Sequence, residues 1–225
     1  MKLILWHGSI EIVEKPTYGL GKKNNDYGLG FYCTQEKDLA KEWACQERGR
    51  DGYASCYELE MNELSVLNLS ESKYTILNWL ALLVNNRDFR VSTPIGRQGK
   101  DYLLKHFLID ISSYDVIIGY RADDAYFSFA RAFVNNEISL NQLERAMHLG
   151  KLGEQIVIKS AKAFSSLTFM KYEIADSEEY FGKRQRRSTL ANREFLNYSD
   201  EEDIHGLFMR DIILEGVENN DSRLR

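Results

Sequence analysis

NDYGLGFYCTQEKDLAKEWA (Asn25–Ala44) is the stretch on which the reading of this chain turns. Gly28 and Gly30 flank one residue, Phe31 and Tyr32 follow, and the pattern then becomes helical. Leu39, Ala40, Trp43 and Ala44 fall at i, i+1, i+4 and i+5 and so share one helix face. Three structures fit such a stretch: a phosphate cradle, a plain hairpin, or one wall of a pocket built around flat rings. The GLG triplet lacks the GxGxxG spacing and the βαβ setting of a dinucleotide fold, and no GxxxxGKS/T occurs. That argues against the cradle. Tyr27, Phe31, Tyr32 and Trp43 gather around the two glycines. If the helix packs back over the strand, Tyr32 and Trp43 face each other and can hold an aromatic ligand. A hairpin followed by a core helix accounts for the same letters.

Outward from this stretch, strands and helices mix without regular βαβ alternation, which predicts an α+β fold. LILWHGS (3–9), the end of 18–34, GYASCYELEM (52–61), LSVLNL (64–69), YDVIIGYR (114–121), QIVIKS (155–160) and LTFMKYEIA (167–175) read as strands. Helices are expected over 35–47, 72–87, 101–110, 138–153 and 203–216, the fourth capped by Ser139 and closed by glycine. The strongest is 72–87, where Ile76, Leu77, Leu80, Leu83 and Val84 form an apolar stripe. The last fifty residues are charged and poorly periodic, so we read a domain over 1–175 and a charged extension over 176–225 packed on or beside it.

Composition sets broad limits. With 225 residues the chain can bury one sizeable core or two small ones. Apolar residues make up 44%, charged residues 28%, and the net charge is −5. A strongly basic chain would suggest nucleic acid as a partner; here only a local patch can serve that purpose. Three cysteines, Cys33, Cys45 and Cys56, form no CxxC pair and read as free thiols. The start MKLILWHGS lacks a signal peptide's apolar core and cleavage site, and no apolar run approaches the ~20 residues of a membrane helix. We expect a soluble, cytoplasmic protein.

Little standard chemistry is encoded. His7, His106, His148 and His205 are far apart with no HExxH, so no metal is expected, and no GxSxG supports a serine hydrolase. Three separated segments remain. Trp6-His7-Gly8-Ser9 ends the opening strand, where a ring nitrogen can meet a hydroxyl and a glycine lets a ligand approach the backbone. The aromatic stretch is the second. The third is Glu154-Gln155, a polar pair just before a buried strand, where a carboxylate could stabilise positive charge developing on a sugar ring.

Taken in order, these segments resemble the ADP-ribosyltransferase superfamily, in its His-Tyr-Glu branch of poly(ADP-ribose) polymerases and diphtheria toxin. His7-Gly8 matches the strand-borne His-Gly, Gly30 and Tyr32 the Gly-x-Gly segment with its first aromatic, Trp43 the second aromatic, and Glu154 the glutamate before an apolar strand. The match runs over about residues 3–175. The chain is most similar to a bacterial subfamily of this clan, formerly a domain of unknown function, in which HGS, a D-F/Y-GxGFY stretch and LGEQ recur. A polymerase-like register puts Glu154 in the catalytic place and a toxin-like register puts Gln155 there. Charge favours Glu154.

The resemblance implies a split β-sandwich of two small sheets with NAD+ folded in the cleft between them. NAD+ is then a substrate, and no metal is needed. Gly8 pairs through its backbone with the nicotinamide amide, and Ser9 adjoins it. Tyr32 and Trp43 sandwich the ring, His7 bonds the adenosine-side ribose, and Glu154 accepts from the nicotinamide ribose. A preorganised contact of that kind is worth about 3–4 kcal/mol in rate. Glu154→Ala is expected to abolish nicotinamide release. In this superfamily the loops before the acidic position choose the acceptor, which points to Arg121, Asp123 and Asp124. The run Lys183 to Arg187 is suited to phosphates of a nucleic acid or of NAD+, or is a solvated cluster. The implied activity is mono-ADP-ribosyl transfer to a protein or nucleic acid, in a toxin or effector held silent by a neutralising partner, with no membrane involved. An NAD+ glycohydrolase, a non-catalytic NAD+- or ADP-ribose-binding module and a plain interaction protein with a core of aromatics stay open as alternatives.

Overall fold

The structure is a computed structural model. It describes residues 1–122, 124–149, 153–199, 201 and 203–224, and for residues 124 and 125 the backbone alone. The fold is mixed α+β, with two small sheets and eight α-helices among the described residues. One sheet has the order β1-β3-β7 and is antiparallel throughout: β1 (Lys2–Ser9), β3 (Gly52–Glu60) and β7 (Leu167–Ala175). The other has the order β2-β6-β5-β4: β2 (Phe31–Cys33), β6 (Glu154–Ile158), β5 (Val116–Tyr120) and β4 (Val66–Asn68), with only the β4–β5 pair parallel. The two sheets meet where Trp6 and Thr34 exchange backbone hydrogen bonds of 2.7 and 2.9 Å.

Alternation distributes the side chains. Leu5, Leu59, Cys33, Ile156 and Ile158 fill the space between the sheets. Val157 lies on the opposite face of its strand and joins the main core. The centre of that core is α2 (Ile76–Asn86), whose stripe extends to burial on nearly every side, since Trp79, Ala81 and Leu82 are covered too. The helix α1 (Lys37–Ala44) lies on the outer face of the first sheet, with Ala40 against Trp6, Ala54 and Cys56. Gly8 permits this approach: a β-carbon there would stand 1.9 Å from Ala40 O and 2.9 Å from Ala44 N. Its missing side chain is thus explained by helix packing and not by ligand access.

Several elements differ from the sequence expectation. The helix expected over 101–110 is α3 (Pro94–His106); Thr93 caps it through Gly96 N–H at 3.0 Å, and Pro94 occupies the first turn, where no N–H is needed. Residues 124–134, for which no helix is expected from the sequence, form α4 (Asp124–Val134), so the acceptor-side candidate Asp124 begins a helix whose Phe129, Phe133 and Val134 are buried. The fourth expected helix is α5 (Leu140–Met147), capped by Ser139 as expected. A short α6 (Ala161–Ser165) links β6 to β7. In the charged extension α7 (Ser177–Ser199) runs for 23 residues, followed by α8 (Met209–Glu215), which stops at Gly216 in the left-handed region, φ 63°. Ala191, Met209, Ile212 and Val217 belong to the main core.

Candidate functional site

A cavity of about 680 Å³ opens at the junction of the two sheets. His7, Gly8 and Ser9 reach it from β1, Gly30, Phe31 and Tyr32 from the β2 region, Trp43 from α1, Gln155 from β6 and Arg121 from the end of β5. Residues far apart in sequence therefore share one space. Asp123 lies outside the described residues, and Asp124 begins α4.

Glu154 is the exception. Its strand neighbour is Tyr120, it is exposed, and it accepts a hydrogen bond from Ser70 Oγ. It takes no part in the cavity wall, whereas the adjacent Gln155 does. The cause is strand parity. Tyr32 pairs with Val157, Gln155 is two residues from Val157, and all three side chains lie on the same face of the sheet. The charge that favoured Glu154 in the sequence therefore points elsewhere.

At Gly8 the geometry is specific. Trp6 directs both its N–H and its C=O to Thr34, away from β3. In an antiparallel ladder this orientation repeats every second residue, so the N–H and C=O of Gly8 also face outward. The three-residue β2 is too short to pair with them, and the cavity lies there instead. One donor and one acceptor of a single residue are thus offered side by side.

The histidine ring is oriented by its neighbours. His7 Nδ1 is 2.8 Å from Tyr32 O, and because a carbonyl only accepts, Nδ1 carries the hydrogen. Burial holds the ring below its ordinary pKa, against the pull of that carbonyl, so it is neutral and Nε2 is an acceptor. Phe31 supports it, ring centres 4.3 Å apart. The Tyr32 hydroxyl donates to Gly28 O at 2.6 Å and accepts from Tyr27 N–H at 3.1 Å, so its phenol serves the turn and only its ring is offered to a ligand. Trp43 and Tyr32 line the same cavity, and the Arg121 guanidinium lies over the indole, 3.8 Å from its centre, held by the negative face of the ring. Among the described residues the buried Trp43 Nε1–H has no acceptor.

Sequence reasoning missed Asp26, Arg87, Lys15, Lys22 and Gln46, which also line the cavity. Asp26 sat in view inside the quoted stretch, but nothing local distinguished it from a turn residue. The run Lys183 to Arg187 resolves into separate roles. Arg184 lines the cavity, Lys183 pairs with Glu179 at 2.5 Å, and Arg187 forks onto buried Glu42 at 2.7 and 2.9 Å. Among the described residues no group of three His, Cys, Asp or Glu side chains could hold a metal ion. No helix there is long and apolar enough to cross a membrane.

Fold and site together define a mixed α+β protein with an aromatic-walled, cation-lined cleft where its two sheets meet. The chain belongs to the family described as protein of unknown function (DUF3990), whose model matches residues 3–169. Every cavity residue except Arg184 falls within that span. No curated protein and no solved structure matches the chain.

Proposed function

We propose that the cleft binds NAD+ and that the protein is a mono-ADP-ribosyltransferase with the split β-sandwich architecture its sequence resembles. The observation that carries this is the outward N–H and C=O of Gly8 beside the rings of Tyr32 and Trp43. A primary carboxamide on an aromatic ring presents one acceptor and one donor, the complement of that pair. The rest of the wall suits the remainder of the molecule. Lys15, Lys22, Arg87 and Arg184 supply positive charge for a diphosphate. His7 Nε2 accepts from a ribose hydroxyl, and Gln155 Oε1 accepts from another. The volume falls in the range of about 300–1,000 Å³ usual for small-molecule sites.

In this reading Tyr32 and Gly8 fix the nicotinamide, and Gln155 holds the sugar from which it leaves. The acceptor nucleophile bonds to the ribose carbon and gives up its proton, while the glycosidic electron pair departs with nicotinamide. The acceptor is a protein side chain or a nucleic acid. The test is incubation of the pure protein with labelled NAD+ and a cell lysate, followed by separate protease and nuclease digestion. Nicotinamide release with label on a macromolecule is expected, and the digestion names the acceptor class. Absence of both NAD+ binding and nicotinamide release would refute the proposal. The neutral amide at Gln155, where the resemblance implies a carboxylate, favours a second reading: a module that holds NAD+ without cleaving it. That reading predicts affinity with no nicotinamide released.

A further inference from the structure

Among the described residues the cavity wall carries a single carboxylate, Asp26. It is 4% exposed. Its Oδ1 accepts from Arg87 Nη1 at 2.9 Å, and its Oδ2 accepts from Ala122 N–H at 2.9 Å and from Gln155 Nε2 at 2.8 Å. The second Gln155 amide hydrogen goes to Tyr120 O at 3.0 Å. Both partners of that amide are acceptors only, so its orientation is not in question: flipped, Oε1 would meet a carboxylate and a carbonyl with no hydrogen between them. Nε2 is fully used, and Oε1 is what the side chain has left for a ligand. An amide that donates to a carboxylate also gains electron density on its oxygen, because hydrogen bonds in series polarise one another.

We propose that Asp26 is the positioning residue of this cleft: its carboxylate fixes the Gln155 amide and, through it, presents an electron-rich Oε1 to a ribose hydroxyl of the ligand. This rests on the reading of the cleft as an NAD+ site. The negative charge that the resemblance places directly on the strand is here supplied from the opposite wall, one hydrogen bond back. Arg87 from the end of α2, Arg121 beyond β5, and the phenols of Tyr27 and Tyr32 face Asp26. Burial raises its carboxyl above the ordinary range, against the backbone, amide and arginine contacts that favour the charged form. Acid therefore discharges Asp26 earlier than an exposed aspartate, and the polarisation of Gln155 goes with it.

The experiment is steady-state nicotinamide release from NAD+ against pH for the full chain and for D26N, Q155A, D26N/Q155A and Q155E. D26N is expected to lower kcat about 10- to 100-fold, the range found when the hydrogen-bond partner that orients a metal-ligating side chain is removed, with KM changed less than about threefold. The double variant should be no slower than Q155A, since the two residues act as a unit. Q155E puts a second carboxylate beside Asp26, the pair holds a proton between them, and the acid limb should move to higher pH. Wild-type kcat and pH profile in D26N, or losses that multiply in the double variant, would overturn the proposal. Side-chain amide NMR gives a readout apart from turnover: the Gln155 amide signals, assigned by their absence in Q155A, should titrate with acid in the wild type and not in D26N. A wild type that releases no nicotinamide would refute the transferase reading; the amide titration would then decide the Asp26–Gln155 coupling, and invariant signals would end it.

Discussion

Tyr32→Phe separates what the Tyr32 ring does from what its hydroxyl does. The hydroxyl bridges two buried backbone groups, accepting from Tyr27 N–H at 3.1 Å and donating to Gly28 O at 2.6 Å. Gly28 has φ 72° and closes a turn with a 2.9 Å bond to Asn25 O, so the bridge secures the segment that leads into β2. Removing it deletes two hydrogen bonds worth about 1 kcal/mol each and leaves a buried donor and acceptor unmet at about 1–3 kcal/mol each. Partial relaxation at the cavity edge brings the expected loss to about 2–4 kcal/mol, a drop in Tm of about 4–16 °C for a chain of this size. The aromatic face remains, so the KM for NAD+ should change less than about threefold once the protein is held well below its new Tm. Thermal unfolding and nicotinamide-release kinetics measure the two effects. A variant of unchanged Tm whose NAD+ binding is lost would show that the hydroxyl contacts the ligand and not the turn.

Glu154→Ala should leave nicotinamide release within about twofold of wild type, because its carboxylate is exposed and engaged by Ser70 outside the cavity; abolished release with intact folding would restore Glu154 to the catalytic place. Arg187→Ala strips the forked partner from Glu42, which is 3% exposed, and leaves a buried charge unpaired. Expected cost is about 3 kcal/mol, with faster proteolysis in α7 as its tie to α1 is cut; an unchanged Tm would mean water or another cation compensates Glu42. His7 contributes a pH dependence of known sign. Its folded pKa lies below the ordinary 6.5, so below about that pH the unfolded chain takes up a proton the folded chain refuses, and stability falls with acidification. Urea titrations across that range should show a smaller acid loss in His7→Gln than in wild type, and equal losses would remove His7 as the source.

The parts of the fold that were legible are those whose local run of apolar, β-branched or aromatic residues is long and bounded by turn signals. The long strands β1, β3 and β7 carry β-branched and aromatic residues between turn signals, and α2 shows its apolar positions openly although it is buried on nearly every side. The helix α7 was not legible because its apolar contacts are sparse among charges: Tyr180, Ala191, Phe195 and Tyr198 pack inward, Phe195 stacking on Phe129 with ring centres 4.0 Å apart, and the Arg187–Glu42 ion pair ties the helix to α1. The helix α4 was missed for the opposite reason, its aromatic-rich run giving no clear period beside the charges of residues 121–124. At the site, the local groupings around His7, Tyr32 and Trp43 were visible as letters. The choice between Glu154 and Gln155 was not, since it depends on the pairing of Tyr32 with Val157, and one residue of slip would exchange the two faces. Asp26 shows the same limit across a larger gap: its bond to Gln155 spans 129 positions.

That limit also explains why the overall charge misleads. A net charge of −5 suggests a protein that repels anions. Yet Lys15, Lys22, Arg87, Arg121 and Arg184 all line one cavity whose only carboxylate, among the described residues, is Asp26. Surface charges more than about 8 Å away are screened at physiological salt, while charges beside a low-dielectric wall are screened much less. A small anion that reaches the cleft therefore meets the local excess of positive charge and not the average of the chain. Three of those cations stand on separate pieces of the fold, at the end of α2, beyond β5 and on α7, so the positive field forms only when the chain is folded. Arg184 reaches the wall from beyond residue 169, which makes the charged extension part of the cleft and not an appendage to it.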